Sequence, residues 1–306
     1  MTDAKQLTLA LGGRWYGSYA TCACPVCQPE RRRDQSALTL AYGNDGRLLT
    51  DCKKSGCDFR DILAAAGVAP GSYTQPDPAV IARRASEELA QTEKRSRQAL
   101  AVWDEALPIG GTVAERYLRN RGIDCDLPGT LRYHPSCWHG PTTQRYPAMI
   151  CRVQGCDHTA IHRTFLRPDG AGKACIEPSK LMLGATAGGA VRLSGGPGPL
   201  LIGEGIESTL SAFILLGDMT ATVWAALSTS GLRGLHLPRL GRLGRLGTVR
   251  ASLIVAVDGE KAGRDAGRDL AERACGLGWL VGIMDPGDAT DWNDRLLGKA
   301  ANHGYA

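Results

Sequence analysis

Three short apolar runs set the pattern of the C-terminal third: LLIG at 200–203, SLIVAV at 252–257 and LVGIM at 280–284. They read as buried strands, and helical apolar spacing follows the first two, over 207–216 and 263–275. Strands alternating with helices predict a parallel α/β sheet whose functional groups gather beyond the carboxyl ends of the strands. Each run is followed by acids. Glu204 comes after the first, Asp258 and Glu260 after the second, and Asp285, Asp288, Asp291 and Asp294 after the third. The topology therefore predicts one acidic rim.

Upstream, residues 113–121 predict a helix stopped by Gly122, and 146–153 with 159–166 predict paired strands around a turn at Gln154 and Gly155. Residues 80–107 are rich in good helix formers with charge on most faces, which predicts a long solvent-washed helix. A Gly/Pro/polar joint, GSYTQPDPA, precedes it. Near the start, the alternating stretch SALTLAYGNDGRLLTDC with turn residues Asn44, Asp45 and Gly46 predicts a hairpin-rich ribbon, closed by a helix over 58–66. The expected fold class is a multidomain α+β and α/β chain. It comprises a ribbon (1–70), a linker and connecting helix (71–107), a basic α+β module (108–197) and a parallel α/β domain (198–306).

Cysteine usage changes the picture of the ribbon. The chain has eleven cysteines, lacks the basic start and apolar core of an export signal, and has no segment of eighteen uncharged apolar residues. A reducing cytoplasm with no membrane partner is expected, and clustered thiols there point to metal. Cys24-Pro-Val-Cys27 and Cys52-Lys-Lys-Ser-Gly-Cys57 are two chelating turns able to hold Zn2+ tetrahedrally. Cys22 competes by position but reads as structural. His134, Cys137, His139, Cys151 and Cys156 are too irregularly spaced to predict a second zinc site.

Charge singles out the middle of the chain. The net charge is +5, yet residues 116–192 hold eleven Lys/Arg against five Asp/Glu, a concentration that suits a polyanion. Within it, His162, Arg163, Arg167, Lys173 and Lys180 are candidate nucleic-acid or nucleotide contacts. The ribbon's Arg31, Arg32, Arg33, Arg47, Lys53 and Lys54, interleaved with Trp15, Tyr16, Tyr19, Tyr42 and Phe59, suit phosphates and bases or a plain charged face equally well. GGAVRLSGGPGPL lacks the GKS/T of a Walker A loop, and RLGRLGRLG at 239–247 lacks dinucleotide-fingerprint spacing and reads as a basic loop. Carboxylates at successive strand ends repel one another, and the natural counter-ion is Mg2+ or Mn2+.

The run Glu204-Gly205, the D-x-E-x-x-G at Asp258, Glu260 and Gly263, and the strand-ordered spacing resemble the Toprim domain of DNA primases and topoisomerases. HRTFLRPDGAGKA, LMLGATAGGAVRL, GEGIESTLSA and DWND resemble more narrowly the primase-like Toprim proteins of phages, plasmids and integrated elements, over most of 132–297. The cysteine spacing is similar to primase zinc modules. The resemblance implies Glu204 as general acid/base, with Asp258 and Glu260 holding a catalytic Mg2+ or Mn2+; Glu204 and, from the acidic rim, Asp288 and Asp291 are further candidate ligands of that ion. Glu260 stands where aspartate is commoner. The implied activity is RNA primer synthesis on single-stranded DNA from nucleoside triphosphates, beside a separate replicative helicase. A Toprim nuclease and a non-catalytic DNA- or helicase-binding adaptor are the alternatives.

Overall fold

The structure, a computed structural model, describes residues 4–17, 19–32, 34–43, 47–69, 78–238, 240, 245–246 and 249–298. Two compact units, residues 1–90 and 91–306, divide within one long helix. In the first, α1 (Ala4–Ala10) precedes an antiparallel sheet of β1 (Arg14–Trp15), β2 (Tyr19–Cys22), β3 (Leu38–Tyr42) and β4 (Leu48–Cys52), paired in chain order. Alternation along β3 buries Leu38 and Leu40, which pack with Leu7, Leu11 and Ile62. The short helix α2 (Phe59–Ala65) starts at Asp58, whose carboxylate accepts from the Arg60 N–H at 2.8 Å. The expected turn at Asn44, Asp45 and Gly46, Arg33, and residues 71–77 of the joint lie outside the described residues. The long helix, α3 (Pro78–Glu105), carries exposed charge along most of its described length, as its composition predicts.

The second unit is built on one ten-stranded sheet. Its first half holds β5 (Leu107–Pro108), α4 (Val113–Arg119), β6 (Leu131–His139), β7 (Gln144–Gln154), β8 (Ala160–Phe165), β9 (Lys180–Leu183) and β10 (Ala190–Ser194). Its second half holds β11 (Leu200–Gly203), α5 (Ile206–Leu216), β12 (Thr222–Ala225) and α6 (Thr229–Gly234). A two-residue ribbon follows, β13 (Arg245–Leu246) with β14 (Val249–Arg250). The half ends with β15 (Ser252–Ala256), α7 (Lys261–Gly276), β16 (Leu280–Met284) and α8 (Trp292–Leu296). The order β16-β15-β11-β12 is parallel throughout. The halves expected as successive modules share this sheet, because β10 pairs antiparallel with both β12 and β7. Of the basic RLGRLGRLG loop, Arg239, 241–244 and Gly247 lie outside the described residues.

Packing fixes where the strand ends sit. β11 is buried along its whole length, as a central parallel strand requires. Leu201, Val223 and Ala225 pack on one face with Leu210 and Phe213 of α5, while Ile202, Leu253 and Val255 pack on the other with Ala266 and Leu270 of α7. Helix α7 lies so close to the sheet that a Cβ at Gly267 would collide with Val257. Glycine therefore sets the depth at which the start of α7, and Glu260 before it, meets the sheet.

Candidate functional site

In the first unit, Cys24 and Cys27 follow β2, Cys52 ends β4 and Cys57 precedes α2. Their four sulfurs lie within 4.8 Å of one another, and all four thiols are free. Among the described residues this is the sole group of three or more Cys, His, Asp or Glu side chains drawn close enough to share one ion. The turns are built for it. The Gln28 side-chain oxygen Oε1 accepts from Cys24 N at 3.2 Å and from Ala37 N at 3.1 Å, and Gly56 takes a positive φ of 57° while its N–H returns to the Cys52 carbonyl. Burial raises the Cys52 thiol, but the N–H groups of Cys57 and Ser55, aided by Cys27, bring it down to about 6. Four soft sulfurs, those of Cys24 and Cys52 buried and those of Cys27 and Cys57 half-buried, fit tetrahedral zinc, although burial and the neighbouring thiols raise Cys24 and Cys57 where Cys52 is lowered. Cys22 stays outside the cluster, and burial pushes its thiol up to about 11.

In the second unit, a cavity of about 350 Å³ opens where β11 and β15 end, lined by Glu204, Asp258, Glu260, Asp291, Asp294 and Thr229 among others. Glu204 directly follows β11, Asp258 lies two residues beyond β15, and Glu260 is the N-cap of α7. Asp291 caps α8, accepting from Asp294 N at 2.8 Å. The loop carrying it is pinned by Trp292, whose indole N–H donates to the Val257 carbonyl at 2.8 Å, and by Gly259 N donating to Thr290 O at 3.0 Å. A Cβ at Gly259 would strike the carbonyls of Gly287 and Thr290, so this close approach needs glycine.

Burial, then the neighbouring Asp258, raises the Glu204 carboxyl; Lys180 and the Thr229 N–H oppose the rise. Asp258 is raised by burial first, against a 2.5 Å hydrogen bond donated by Ser208 Oγ. Mutually repelling oxygen donors in an open cavity fit a hard divalent cation. Such an ion keeps several waters and takes one or two carboxylates. Asp285 and Asp288 are drawn elsewhere. Arg264 forks onto Asp285 at 2.8 and 3.0 Å and reaches Asp288 at 2.6 Å, so neither lines the cavity. Asp288, expected as a further ligand, is paired with this guanidinium, and its side chain is largely exposed.

The candidate cations divide. Lys180 Nζ lies 3.0 Å from Glu207 Oε2, and the Tyr117 hydroxyl donates to Glu207 Oε1 at 2.8 Å. Although burial disfavours its charge, Lys180 and Lys173 hold Glu207 ionised, well below the usual carboxylate range. Lys173 is half-buried and lowered by burial, then by Lys180. Burial, then Lys180, pushes the His162 ring down to about 4, so it is neutral at pH 7, and its Nδ1 has no hydrogen-bond partner among the described residues. Arg163 departs from the expected phosphate contact: it is 8 % exposed and donates to the carbonyls of Trp138 at 3.1 Å and Met182 at 3.4 Å. A strand paired on both edges turns this arginine into a brace. Arg167 is exposed beside Asp169 at 2.8 Å. His134 pairs with Glu105, His139 bonds Thr142 and the Pro178 carbonyl, and Cys151 is buried on β7 opposite His162, so these residues do not converge. Glu207, Tyr117 and Ser208 were not singled out from sequence; only Glu207's place in the first turn of a helix after an acidic strand end hinted at it.

Residues 199–302 match the family model described as Toprim domain, and residues 93–193 match one described as Domain of unknown function (DUF7146). No curated protein matches the chain. Among solved structures, the chain is similar to the zinc-binding and RNA polymerase domains of Aquifex aeolicus primase. That similarity has 13% identity over 97% of this chain and 83% of that one, with a TM-score of 0.43. A Pseudomonas aeruginosa DNA primase domain matches at 15% identity over 67% and 75%, with a TM-score of 0.39. The primase fragment of the bacteriophage T7 primase-helicase protein matches at 11% over 92% and 98%, with a TM-score of 0.36. The chain thus carries a Toprim domain and a four-cysteine cluster able to coordinate a structural metal. No described helix is long and apolar enough to cross a membrane.

Proposed function

We propose that this protein is a cytoplasmic DNA primase that joins ribonucleotides into short primers on single-stranded DNA. The observation that carries the reading is the gathering of Glu204, Asp258 and Glu260 in one cavity at adjacent parallel strand ends. These three, with Asp291, would hold Mg2+ or Mn2+; when bound, such an ion supplies neutralisation of charge developing on phosphate. Glu204, raised by burial and Asp258, is suited to holding and releasing a proton at its carboxylate. Lys180 and Lys173 offer ammonium groups to a triphosphate, with Lys180 held by Glu207. Asp258 is held in place by Ser208.

In this reading residues 1–70 form a zinc ribbon that engages the template and 71–107 link it to the remainder. The basic half, 108–197, steers polyanions toward the Toprim domain at 198–306. A separate replicative helicase would supply unwound DNA, as suits a protein of a phage, plasmid or integrated element. The test incubates the full chain with single-stranded templates, labelled nucleoside triphosphates and Mg2+ or Mn2+. Short template-dependent products are the expected result. Shortened DNA would assign a nuclease, and binding without either product would assign an adaptor.

A further inference from the structure

One face of the large sheet gathers arginines that the acidic cavity does not use. Directly opposed residues on neighbouring strands share a face, as do residues two apart along one strand. Arg132 on β6 opposes Ile150, and Arg152 lies two beyond Ile150 on β7. Ala190 opposes Gln154, so Arg192, two along β10, comes level with Arg152 on that same face. Indoles back all three. The guanidinium carbons of Arg132 and Arg152 lie 4.2 and 5.7 Å from the Trp103 ring centroid, and that of Arg192 lies 5.1 Å from Trp224. Both indoles are buried, whereas Arg152 and Arg192 are exposed.

Among the described residues, none of the three arginines has a carboxylate within ion-pair distance. Glu105, the acid at the end of α3, is engaged by His134. Arg132 also donates to the Trp103 carbonyl at 3.0 Å, a neutral partner, so three like charges stand together without a counter-ion and an anion from outside would relieve their repulsion. Its position is informative. β10 lies two strands from β11, which places Arg192 about 10 Å across the sheet from the strand that Glu204 follows.

We infer that Arg132, Arg152 and Arg192 form a track on which the phosphate backbone of a single-stranded nucleic acid lies beside the acidic cavity. The purpose of that strand as a template rests on the primase reading; its binding does not. Guanidinium forks match phosphate oxygens, and indole-backed planar cations accept stacked bases, which an acidic peptide does not offer.

The test measures binding of fluorescent single-stranded DNA of unrelated sequences to the full chain across a salt series, for wild type and the Arg152→Ala/Arg192→Ala double variant. Affinity should fall about tenfold or more for every sequence, and the slope of log affinity against log salt should shrink by about 1.4, two lost phosphate contacts. Unchanged affinity and slope would overturn the track, as would equal binding and equal loss with poly-glutamate of matched charge, which would assign an acidic protein partner. Should the double variant not fold, arginine-selective dicarbonyl labelling of wild type decides. Protection of Arg152 and Arg192 by single-stranded DNA supports the track, and undiminished labelling refutes it. If wild type makes no nucleotidyl-transfer product yet the double variant still loses DNA binding, the primase reading fails and the track stands.

Discussion

A carboxylate that is 4 % exposed keeps its charge in a folded core only if that charge is met, and Glu207 is met by the Tyr117 hydroxyl and the Lys180 ammonium. Replacing it by alanine leaves a partly buried ammonium unpaired, and Glu207→Ala should cost about 3 kcal/mol in chemical denaturation. Tyr117→Phe removes one hydrogen bond to a charged group and should cost about 1.5 kcal/mol. Losses near zero in both would show that water already serves the pair. Glu204 and Asp258 make the opposite case, since they face an open cavity and stabilise little. Asp258→Ala and Glu204→Gln should each lower primer synthesis at least about 100-fold with little change in melting temperature. Glu260→Asp shortens one reach and should shift the Mg2+/Mn2+ preference. If both Asp258→Ala and Glu204→Gln stay folded at full rate, this cavity is not the active site. These two acids were legible because each follows an apolar strand by one or two residues. Glu207 was not, because its partners lie 90 and 27 residues away and no local pattern announces them.

At the scale of the element, β8 separates what periodicity reveals from what pairing decides. Its AIHRTF sequence marks a strand, but its polar residues look ready for solvent; it is an interior strand between β7 and β9, buried from end to end, with Ile161 and Phe165 packed against Ala99 and Trp103 of α3. That is why His162 and Arg163 read as substrate contacts and prove to be interior groups. The parallel strand β12 was missed for a related reason: TVWA is only four residues long, and its assignment depends on pairing with β11 and β10. The burial of β8 has a pH consequence. His162 sits at about 4 in the folded protein against an ordinary 6.5, so between those values the unfolded chain binds more protons. Stability present above pH 6.5 is therefore lost as pH falls toward 4, by on the order of 3 kcal/mol. His162→Gln cannot take up that proton and should flatten melting temperature against pH across this window. A variant profile parallel to wild type would assign the acid sensitivity to another group.

For the whole molecule, the two units differ in what holds them. Among the described residues, the second buries three apolar clusters around a ten-stranded sheet, whereas the first has a single small one, to which Cys22, Cys24 and Cys52 themselves belong. A core that small leaves little margin over chain entropy, so the ion bound at Cys24, Cys27, Cys52 and Cys57 would supply much of the first unit's folding free energy. This organisation was readable in the cysteine spacing, because chelating turns are local; the sharing of one sheet by the basic and acidic halves was not, since it rests on the β10–β12 pairing between distant residues. Protein purified without added metal should contain about one zinc per chain by elemental analysis, and Cys24→Ser or Cys52→Ser should lower that content. Removing the metal with a strong chelator should then raise amide exchange throughout β2, β3, β4 and α2 while β7, β11 and β15 keep their protection, because the second unit's core owes nothing to the sulfurs. Retained protection in the first unit after complete metal loss would show that its apolar cluster suffices. Loss of protection in both units together would show that the zinc module holds the whole chain.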